Sequence, residues 1–360
     1  MHSALCTIDC CLLPLSWLYG AVVGVRNWLY DHGLLKLRRL PLPAICVGNL
    51  AVGGTGKTPH VEYLVRLLSP HYRVAVLSRG YRRKSRGYLL SDLATPMEMI
   101  GDEPWQMKQK FGTAIHVAVD ADRWHGVHRL THDNATSDTQ VVLLDDAFQH
   151  RAVRAGLYIL LVDYHRLYCD DRLLPAGRLR ESAKGAARAD VVVVSKCPPD
   201  IPPTECRHIQ AKLQLRQGQQ LYFSTLRYGA LSALFGNETR TLAQLQAEQT
   251  HVLMLTGIAS HSQMERDLRR HTPHVTPLAF PDHHYYTAGD VRRINRTLDQ
   301  LPRPHIVVTT EKDAARLKTL QGLSSQVCEN LYVLPIQTEI LNAQTNIFNQ
   351  TIEDYVRQNS

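Results

Sequence analysis

Short apolar runs recur through the first two-thirds of the chain, and each is bounded by turn-forming or charged residues. They lie at 44–47, 73–77, 114–118, 141–144, 157–162 and 191–194. Their hydrophobicity is continuous rather than alternating, which is typical of strands that helices cover on both faces. The pattern therefore predicts an α/β fold with a doubly wound, mostly parallel sheet.

A second, smaller α/β domain is predicted further along the chain. The stretch 198–203 is polar and proline-bearing, and 221–228 is typical of an extended connector. Strand-like runs resume at 251–255 and 306–309, and a length of 360 residues also favours two domains. The predicted boundaries are 36–220 for the first domain, 221–230 for the linker and 231–360 for the second domain.

The N-terminal segment 1–35 has a different pattern. Its apolar run from Cys10 to Val25 is interrupted only by Pro14 and Ser16, and aromatic and basic residues follow it. About 16 uncharged residues are too few to span a bilayer comfortably, and no basic region precedes them as in a signal peptide. We predict a helix that lies on or dips into one membrane leaflet. An ordinary buried helix is the alternative.

Charge and cysteine content narrow the classes of partner. The formal net charge of +8 indicates an anionic partner, such as phosphate, anionic lipid or nucleic acid. The eight cysteines form no CxxC pair and no zinc-like spacing, which argues against a disulfide scaffold or a zinc module. A basic loop at 78–86 has no aromatic-rich strand pair or recognition helix beside it, so nucleic acid is the less favoured partner.

The strongest chemical signal is a glycine-rich stretch between the first predicted strand and a predicted helix. Gly53, Gly54 and Gly56 allow the backbone N–H groups to face an anion, and the helix adds its positive N-terminus. Lys57 is then placed to reach the β- and γ-phosphates of ATP, and Thr58 to ligate Mg²⁺. The predicted nucleotide-binding residues are Ala51, Val52, Gly53, Gly54, Thr55, Gly56, Lys57 and Thr58. Position 51 departs from the glycine of the strict motif.

Two pairs of acids accompany this motif. Asp145 and Asp146 directly follow the run 141–144, where a P-loop protein needs a carboxylate for the metal ion or its water. Asp102 and Glu103 lie in a proline-bounded turn. Phosphoryl transfer to a hydroxyl needs a carboxylate that accepts or aligns the proton, and Asp102 is a candidate for that role. A helix cap is the equal alternative for Asp102.

Other candidate residues give weaker signals. Arg178 and Arg180 are cations suited to transition-state charge, with surface ion pairs as the alternative. In the second domain, Asp282, His283 and His284 form a compact group that titrates near neutrality. Those three residues alone lack ligands for a metal ion. Local sequence favours a surface role for them.

Taken together, these residues resemble one family, the tetraacyldisaccharide 4′-kinase of lipid A biosynthesis. Ala147 and Ser182 depart from the glycine and proline that are typical of the family at those positions. The likeness runs through nearly the whole chain and rests on motifs in one order: Pro14-Leu-Ser-Trp-Leu-Tyr-Gly20, Arg26-Asn-Trp-Leu-Tyr30, Val47-Gly-Asn-Leu50, Gly53-Gly-Thr-Gly-Lys-Thr-Pro59, Ser78-Arg-Gly-Tyr-Arg82, Gly101-Asp-Glu-Pro104, Asp145-Asp-Ala-Phe-Gln-His150, Leu174-Pro-Ala-Gly177, Leu179-Arg-Glu181, Phe280-x-Asp-His283 and Thr310-Glu-Lys-Asp313.

The resemblance implies an ATP-dependent kinase that phosphorylates the 4′-hydroxyl of a tetraacyldisaccharide 1-phosphate to give lipid IVA. It implies that Asp102 is the base, assisted by His283, and that Lys57 and Arg180 stabilise charge on the γ-phosphate. The implied cofactors are ATP and Mg²⁺. The implied metal ligands are Thr58, Asp145, Asp146 and Glu103.

The implied partners are a lipid-linked disaccharide and the cytoplasmic face of the bacterial inner membrane, where the N-terminal helix would dock. No nucleic acid and no obligate protein partner are expected. From the residues alone, a P-loop ATPase that acts as a switch or metallochaperone on a protein partner remains the alternative. A membrane scaffold with a vestigial nucleotide site is weaker, because Lys57, Thr58 and the paired acids are intact.

Overall fold

A computed structural model describes residues 12–258, 261–281 and 284–360. The chain divides into two compact units, one of Met1–Leu226 with Thr338–Ser360 and one of Arg227–Gln337. The second unit therefore ends at Gln337, whereas the sequence predicted that it extends to the C terminus.

The elements follow one another in regular α/β alternation through most of the chain. The strands are β1 (Arg38–Arg39), β2 (Ala44–Asn49), β3 (Val74–Ser78), β4 (Leu89–Ser91), β5 (Ile115–Val119), β6 (Val141–Asp145), β7 (Val153–Arg154), β8 (Leu157–Asp163), β9 (Val191–Ser195), β10 (Gln220–Tyr228), β11 (Leu231–Ala233), β12 (Thr239–Arg240), β13 (His251–Thr256), β14 (Val275–Ala279), β15 (His305–Thr310), β16 (Leu331–Leu334) and β17 (Ile336–Ile340). The helices are α1 (Leu13–Asp31), α2 (Lys57–Leu68), α3 (Met97–Ile100), α4 (Asp102–Phe111), α5 (Arg123–His132), α6 (Pro203–Leu213), α7 (Leu242–Ala247), α8 (His261–Leu268), α9 (Ala288–Asp299), α10 (Glu311–Leu317), α11 (Ser325–Asn330) and α12 (Thr345–Asn359).

A nine-stranded sheet forms the centre of the first unit, counting the described residues alone. Its strand order is β17-β10-β9-β8-β2-β6-β3-β5-β4. Neighbouring strands from β10 to β5 run parallel, and β4 is antiparallel to β5. Strands β2, β3, β6 and β9 are buried along their whole length, as continuous apolar runs require. The six strands predicted for this domain are confirmed.

The sheet places the glycine-rich turn and the paired acids at one edge. β2 lies between β6 and β8, and Val47 of β2 is in register with Asp145 at the end of β6. The two strands run parallel, so the turn after β2 and the acids at the end of β6 meet at the carboxyl edge of the sheet. That edge is the usual ligand-binding side of an open α/β sheet.

The final helix completes the first unit. In α12, Phe348, Ile352 and Val356 are buried in the same hydrophobic cluster as Val61 and Leu64 of α2. The segment predicted as an extended connector is instead strand β10, which pairs in parallel with β9. The return of the chain to the first sheet explains why the predicted second-domain boundary differs from the structure.

The second unit has its own sheet and core. Within its described residues, six strands are ordered β12-β11-β16-β15-β13-β14. The pairs β13·β14, β13·β15 and β15·β16 are parallel, and β11 is antiparallel to both of its neighbours. The two strands predicted at 251–255 and 306–309 are confirmed as β13 and β15. The second, smaller α/β unit predicted from the sequence is therefore present.

Helix α1 exposes most of its apolar side chains. Ser16 is its buried residue, and its exposed large apolar residues are Leu15, Trp17, Leu18, Val22, Val25 and Trp28. An ordinary buried helix, the alternative considered from the sequence, does not have this distribution. No helix within the described ranges has the length and hydrophobicity needed to cross a bilayer.

Candidate active site

The turn after β2 has the backbone conformation of a phosphate-binding loop. Gly53 and Gly56 adopt φ angles of +116° and +79°, in the left-handed region that favours glycine. Helix α2 then begins at Lys57. The turn, which we call the P-loop (residues 51–58), therefore ends in a helix N-terminus, where backbone N–H groups and the helix dipole favour an anion.

Backbone pairing places Arg180 next to the P-loop. Val52 donates its N–H to the carbonyl oxygen of Arg178 at 2.7 Å, and Arg180 donates its N–H to that of Leu50, also at 2.7 Å. Ala51 and Leu179 form an antiparallel bridge between these bonds. The side chain of Arg178 is exposed, whereas Arg180 is partly buried.

Two cations converge on one carboxylate at this edge of the sheet. Arg180 donates from Nη1 to both oxygens of Asp146, at 2.9 and 3.1 Å. Lys57 Nζ lies 3.7 Å from Asp146 Oδ1 and 3.5 Å from Asn49 Oδ1. The structure thus brings together three residues that the sequence analysis singled out separately. It adds Asn49 to them.

The adjacent carboxyl groups of Asp145 and Asp146 have opposite pKa shifts. Burial, with the nearby charges of Glu103 and Asp146, raises the pKa of Asp145 to about 7. Burial also opposes ionisation of Asp146, but the charges of Lys57 and Arg180 outweigh it and lower the pKa of this carboxyl. Asp146 is therefore a stable anion at neutral pH, whereas Asp145 is only partly ionised there.

Several buried polar atoms near the P-loop have no hydrogen-bond partner among the described residues. They are Asp145 Oδ1, Asn49 Nδ2 and Thr55 Oγ1. Buried polar groups are nearly always paired, so an unpaired set at one ligand-binding edge indicates an absent ligand. The described residues contain no cluster of three or more His, Cys, Asp or Glu side chains able to hold a metal ion. The protein alone thus offers an incomplete metal site.

The second pair of acids begins a helix. Gly101, with a φ angle of +92°, precedes α4, and Asp102 is the first residue of that helix. The capping position belongs to Gly101, so the structure does not support Asp102 as the helix cap. Glu103 is close enough to Asp145 to raise its pKa. His283 lies outside the described residues, so its pairing with Asp102 stays a prediction.

Two further residues support the site: Arg123, which local sequence did not single out, and Gln149, which continues the loop of the paired acids. Arg123 is 2% exposed and donates from Nη2 to the backbone oxygen of Asp145 at 3.3 Å. Gln149 donates from Nε2 to Asn49 O at 2.7 Å and to Glu181 Oε1 at 3.1 Å. Gln149 and Glu181 lie within the family motifs. Arg123 carries no local signal, because its partner is 22 positions away in the chain.

A parallel sheet that leads into a P-loop, faced by two cations and paired carboxylates, defines the class of P-loop phosphotransferases. The family model of tetraacyldisaccharide-1-P 4′-kinase matches residues 8–357 of the chain. The chain belongs to the tetraacyldisaccharide-1-P 4′-kinase family. The resemblance inferred from the sequence motifs is confirmed.

Curated relatives and a solved structure agree with this assignment. A tetraacyldisaccharide 4′-kinase of Phocaeicola vulgatus is 49% identical over 363 residues, covering 100% of this chain and 98% of the relative. One of Bacteroides fragilis strain YCH46 is 51% identical over 354 residues, covering 97% and 93%. The crystal structure of "apo" form LpxK from Aquifex aeolicus in complex with ATP is 31% identical, with a TM-score of 0.75 over 97% of this chain and 99% of that one.

Proposed function

We propose that this protein is an ATP-dependent kinase that phosphorylates the 4′-hydroxyl of a tetraacyldisaccharide 1-phosphate to give lipid IVA. Membership of the kinase family and the names of the relatives support the reaction. The observation that carries the proposal is the convergence of Lys57 and Arg180 on Asp146 beside the P-loop. This arrangement supplies positive charge where a phosphoryl group is transferred.

ATP is the proposed phosphate donor. The P-loop ends at the N-terminus of α2, which suits the negative charge of a triphosphate. The related Aquifex aeolicus structure is a complex with ATP. Asn49 Nδ2 and Thr55 Oγ1, which have no hydrogen-bond partner among the described residues, lie in the same segment and offer further polar contacts to a nucleotide.

The donor set of this chain fits Mg²⁺. Asp145 Oδ1 is a buried oxygen that lacks a partner among the described residues, and carboxylate and hydroxyl oxygens are the ligands that Mg²⁺ prefers. The residues that would hold the ion are Thr58, Asp145, Asp146 and Glu103, and they would do so together with the bound nucleotide, because the described acids form no complete metal site by themselves. When bound, Mg²⁺ would neutralise charge on the phosphate oxygens.

The chain's own residues account for the remaining chemistry. Lys57 and Arg180 stabilise the charge that develops on the transferred phosphoryl group. Asp102 accepts or aligns the proton of the acceptor hydroxyl, assisted by His283. Asp146 keeps both cations oriented, because its lowered pKa leaves it charged at neutral pH.

The acceptor is a lipid, and we propose that α1 brings the enzyme to it at the cytoplasmic face of the inner membrane. The exposed apolar residues of this helix include Trp17 and Trp28, which suit the headgroup level of a bilayer. The polar residues of the same helix bind the first unit instead. Ser16 donates from Oγ to Leu173 O at 2.9 Å, and Asn27 donates to Glu181 Oε2 at 3.1 Å.

One assay tests the kinase against the switch alternative. Purified protein, γ-labelled ATP and tetraacyldisaccharide 1-phosphate in mixed vesicles should give a labelled bisphosphorylated lipid. Without the lipid, the protein should hydrolyse ATP only slowly. The Lys57→Ala variant is the negative control for lipid phosphorylation. Hydrolysis that a protein partner stimulates, with no labelled lipid, would favour the P-loop ATPase switch or metallochaperone and overturn the proposal.

A further inference from the structure

Two consecutive peptide units of the P-loop are held by buried side chains. Ser195 donates from Oγ to the carbonyl oxygen of Thr55 at 2.8 Å. His60 Nδ1 lies 2.7 Å from the carbonyl oxygen of Gly56. Ser195 is fully buried and His60 is 4% exposed, so neither contact is exchanged for water. The carbonyl groups at the end of the P-loop are therefore fixed by the protein interior.

Fixing these carbonyl groups also fixes the N–H groups that face the nucleotide. Both peptide bonds are trans, since the cis bonds of the described chain precede Pro175 and Pro304. In a planar trans peptide the N–H points opposite to the C=O. The anchor on Thr55 O therefore orients the N–H of Gly56, and the anchor on Gly56 O orients the N–H of Lys57. These donors belong to the helix N-terminus at which the phosphates bind.

The second ring nitrogen of His60 is also held. His60 Nε2 lies 2.9 Å from Oγ of Ser224, a residue of β10 that is completely buried. A carbonyl oxygen only accepts hydrogen bonds, so Nδ1 carries the proton for Gly56 and Nε2 accepts from the Ser224 hydroxyl. Burial lowers the pKa of His60 to about 4, which agrees with a neutral ring. The chain Ser224–His60–Gly56 thus has one consistent direction of donation.

We propose that His60 is a positioning residue of the nucleotide site, which Ser224 orients and which aims the Lys57 N–H at the phosphates by holding the Gly56 carbonyl. Ser195 does the same for the Gly56 N–H. This inference rests on the proposed function only in taking the P-loop ligand to be a nucleoside triphosphate.

Two amide variants separate positioning from packing. In His60→Asn the side-chain amide nitrogen reaches the place of Nδ1 and keeps the donor to Gly56, whereas the amide of His60→Gln reaches the place of Nε2 and keeps the contact with Ser224. We expect His60→Gln and His60→Ala to weaken ATP binding about tenfold, and His60→Asn to stay within about threefold of the wild type. Ser224→Ala should weaken binding by about threefold, because it leaves Nε2 unpaired.

The control is Ser91→Ala. Ser91 is a buried serine of the same sheet that donates to Val117 O at 2.9 Å, so its loss costs a comparable hydrogen bond outside the P-loop. The melting temperature of this variant should fall while its ATP affinity stays at the wild-type value. ATP affinity is measured by calorimetry, and KM and kcat by the lipid kinase assay.

Two outcomes would overturn the inference. One is wild-type ATP affinity in His60→Gln, and the other is a loss in His60→Asn at least as large as that in His60→Gln, as expected if the ring only fills volume, because asparagine is the smaller side chain. If the His60 variants fold poorly, Ser224→Ala tests the same chain of hydrogen bonds without a change in α2. Wild-type ATP affinity in Ser224→Ala would also overturn the inference. Absence of lipid phosphorylation by the wild-type protein would count against the proposed function alone, since ATP binding is read independently.

Discussion

Tyr19 donates a hydrogen bond of 2.7 Å from its hydroxyl to the backbone oxygen of Arg180. Tyr19 belongs to α1, whose other face exposes apolar side chains, and Arg180 donates to Asp146 in the candidate active site. A single hydrogen bond thus connects the proposed membrane helix with a proposed catalytic residue. The backbone of Arg180 is held on both sides, because its N–H donates to Leu50 O.

Removal of the Tyr19 hydroxyl should impair turnover without loss of the helix. We expect Tyr19→Phe to lower kcat about threefold, the cost of one net hydrogen bond, with little change in KM for ATP. Tyr30→Phe is the matched control, since the ring of Tyr30 contacts Arg26 and Arg151 through its face. Equal kcat values for the two variants would show that the Tyr19 contact does not position Arg180.

Lys57 and Thr58 should be essential for catalysis and dispensable for folding. Both lie at the start of α2 and act on phosphate or metal, so Lys57→Ala and Thr58→Ala should each lower kcat about a hundred- to thousandfold. Melting temperatures close to the wild-type value should accompany the loss. Lys212→Ala, which removes a surface ion pair with Asp170, is the control and should keep full activity. Near-wild-type turnover in Lys57→Ala would contradict the P-loop assignment.

Asp145 should destabilise the free protein at alkaline pH. Its folded-state pKa of about 7 lies above the ordinary value of 3.8, so between these values the folded state binds more protons than the unfolded state. The free energy of unfolding therefore falls as pH rises through this window, and the loss is complete above it. At pH 8 the ionised carboxylate costs on the order of 4 kcal/mol, because the pKa is raised from 3.8 to about 7.

The variant Asp145→Asn should consequently melt at a higher temperature than the wild type at pH 8, with a smaller difference at pH 5. It should also lose most kinase activity, because the amide is a poor substitute for a metal-binding carboxylate. Addition of Mg²⁺ and ATP should raise the melting temperature of the wild type more than that of the variant. A variant that is less stable than the wild type at pH 8 without ligands would refute the assigned cost.

The exposed face of α1 should determine access to the lipid. Replacing Trp17, Leu18 and Val22 by serine should weaken co-sedimentation with anionic vesicles and raise KM for the lipid more than KM for ATP, because the membrane concentrates only the lipid. Leu93→Ser, at another exposed apolar residue of the first unit, is the control. Unchanged sedimentation of the triple variant would exclude this face as the membrane contact.

Asp102 and His283 should act as one catalytic unit. Asp102→Asn and His283→Ala should each lower kcat strongly and leave ATP affinity nearly unchanged. The double variant should be little slower than the slower single variant, since partners in one step lose their joint contribution together. Fully multiplicative losses, or a large loss of ATP affinity in Asp102→Asn, would place Asp102 in the nucleotide site instead of beside the acceptor.

Much of the architecture could be predicted from the local pattern of apolar and polar residues. The continuous apolar runs at 141–144 and 191–194 became β6 and β9, because a fully buried strand has to be apolar on both faces. The P-loop was equally readable, since its glycines and the following Lys57 act within one turn of the backbone. The family assignment followed from motifs whose order is a property of the sequence itself.

The contacts between segments that are distant in the chain could not be predicted from the sequence. The local hydrophobic pattern indicates that a segment is buried, but it does not indicate which other segments pack against it. Residues 221–228 and the helix α12 therefore gave no sign that they join the first sheet and its core.

The sequence by itself determined the class of protein, the strands of its main sheet and the residues of the phosphate-binding turn. Only the tertiary structure decided that Arg180 binds Asp146, 34 positions away, and that His60 bridges Gly56 to Ser224, 164 positions away. Such contacts depend on strand order and register, which place distant residues side by side and which no local pattern encodes. The opposite pKa shifts of Asp145 and Asp146 have the same origin. The two residues are adjacent in the chain, but the fold buries Asp145 near Glu103 and places Asp146 beside Lys57 and Arg180.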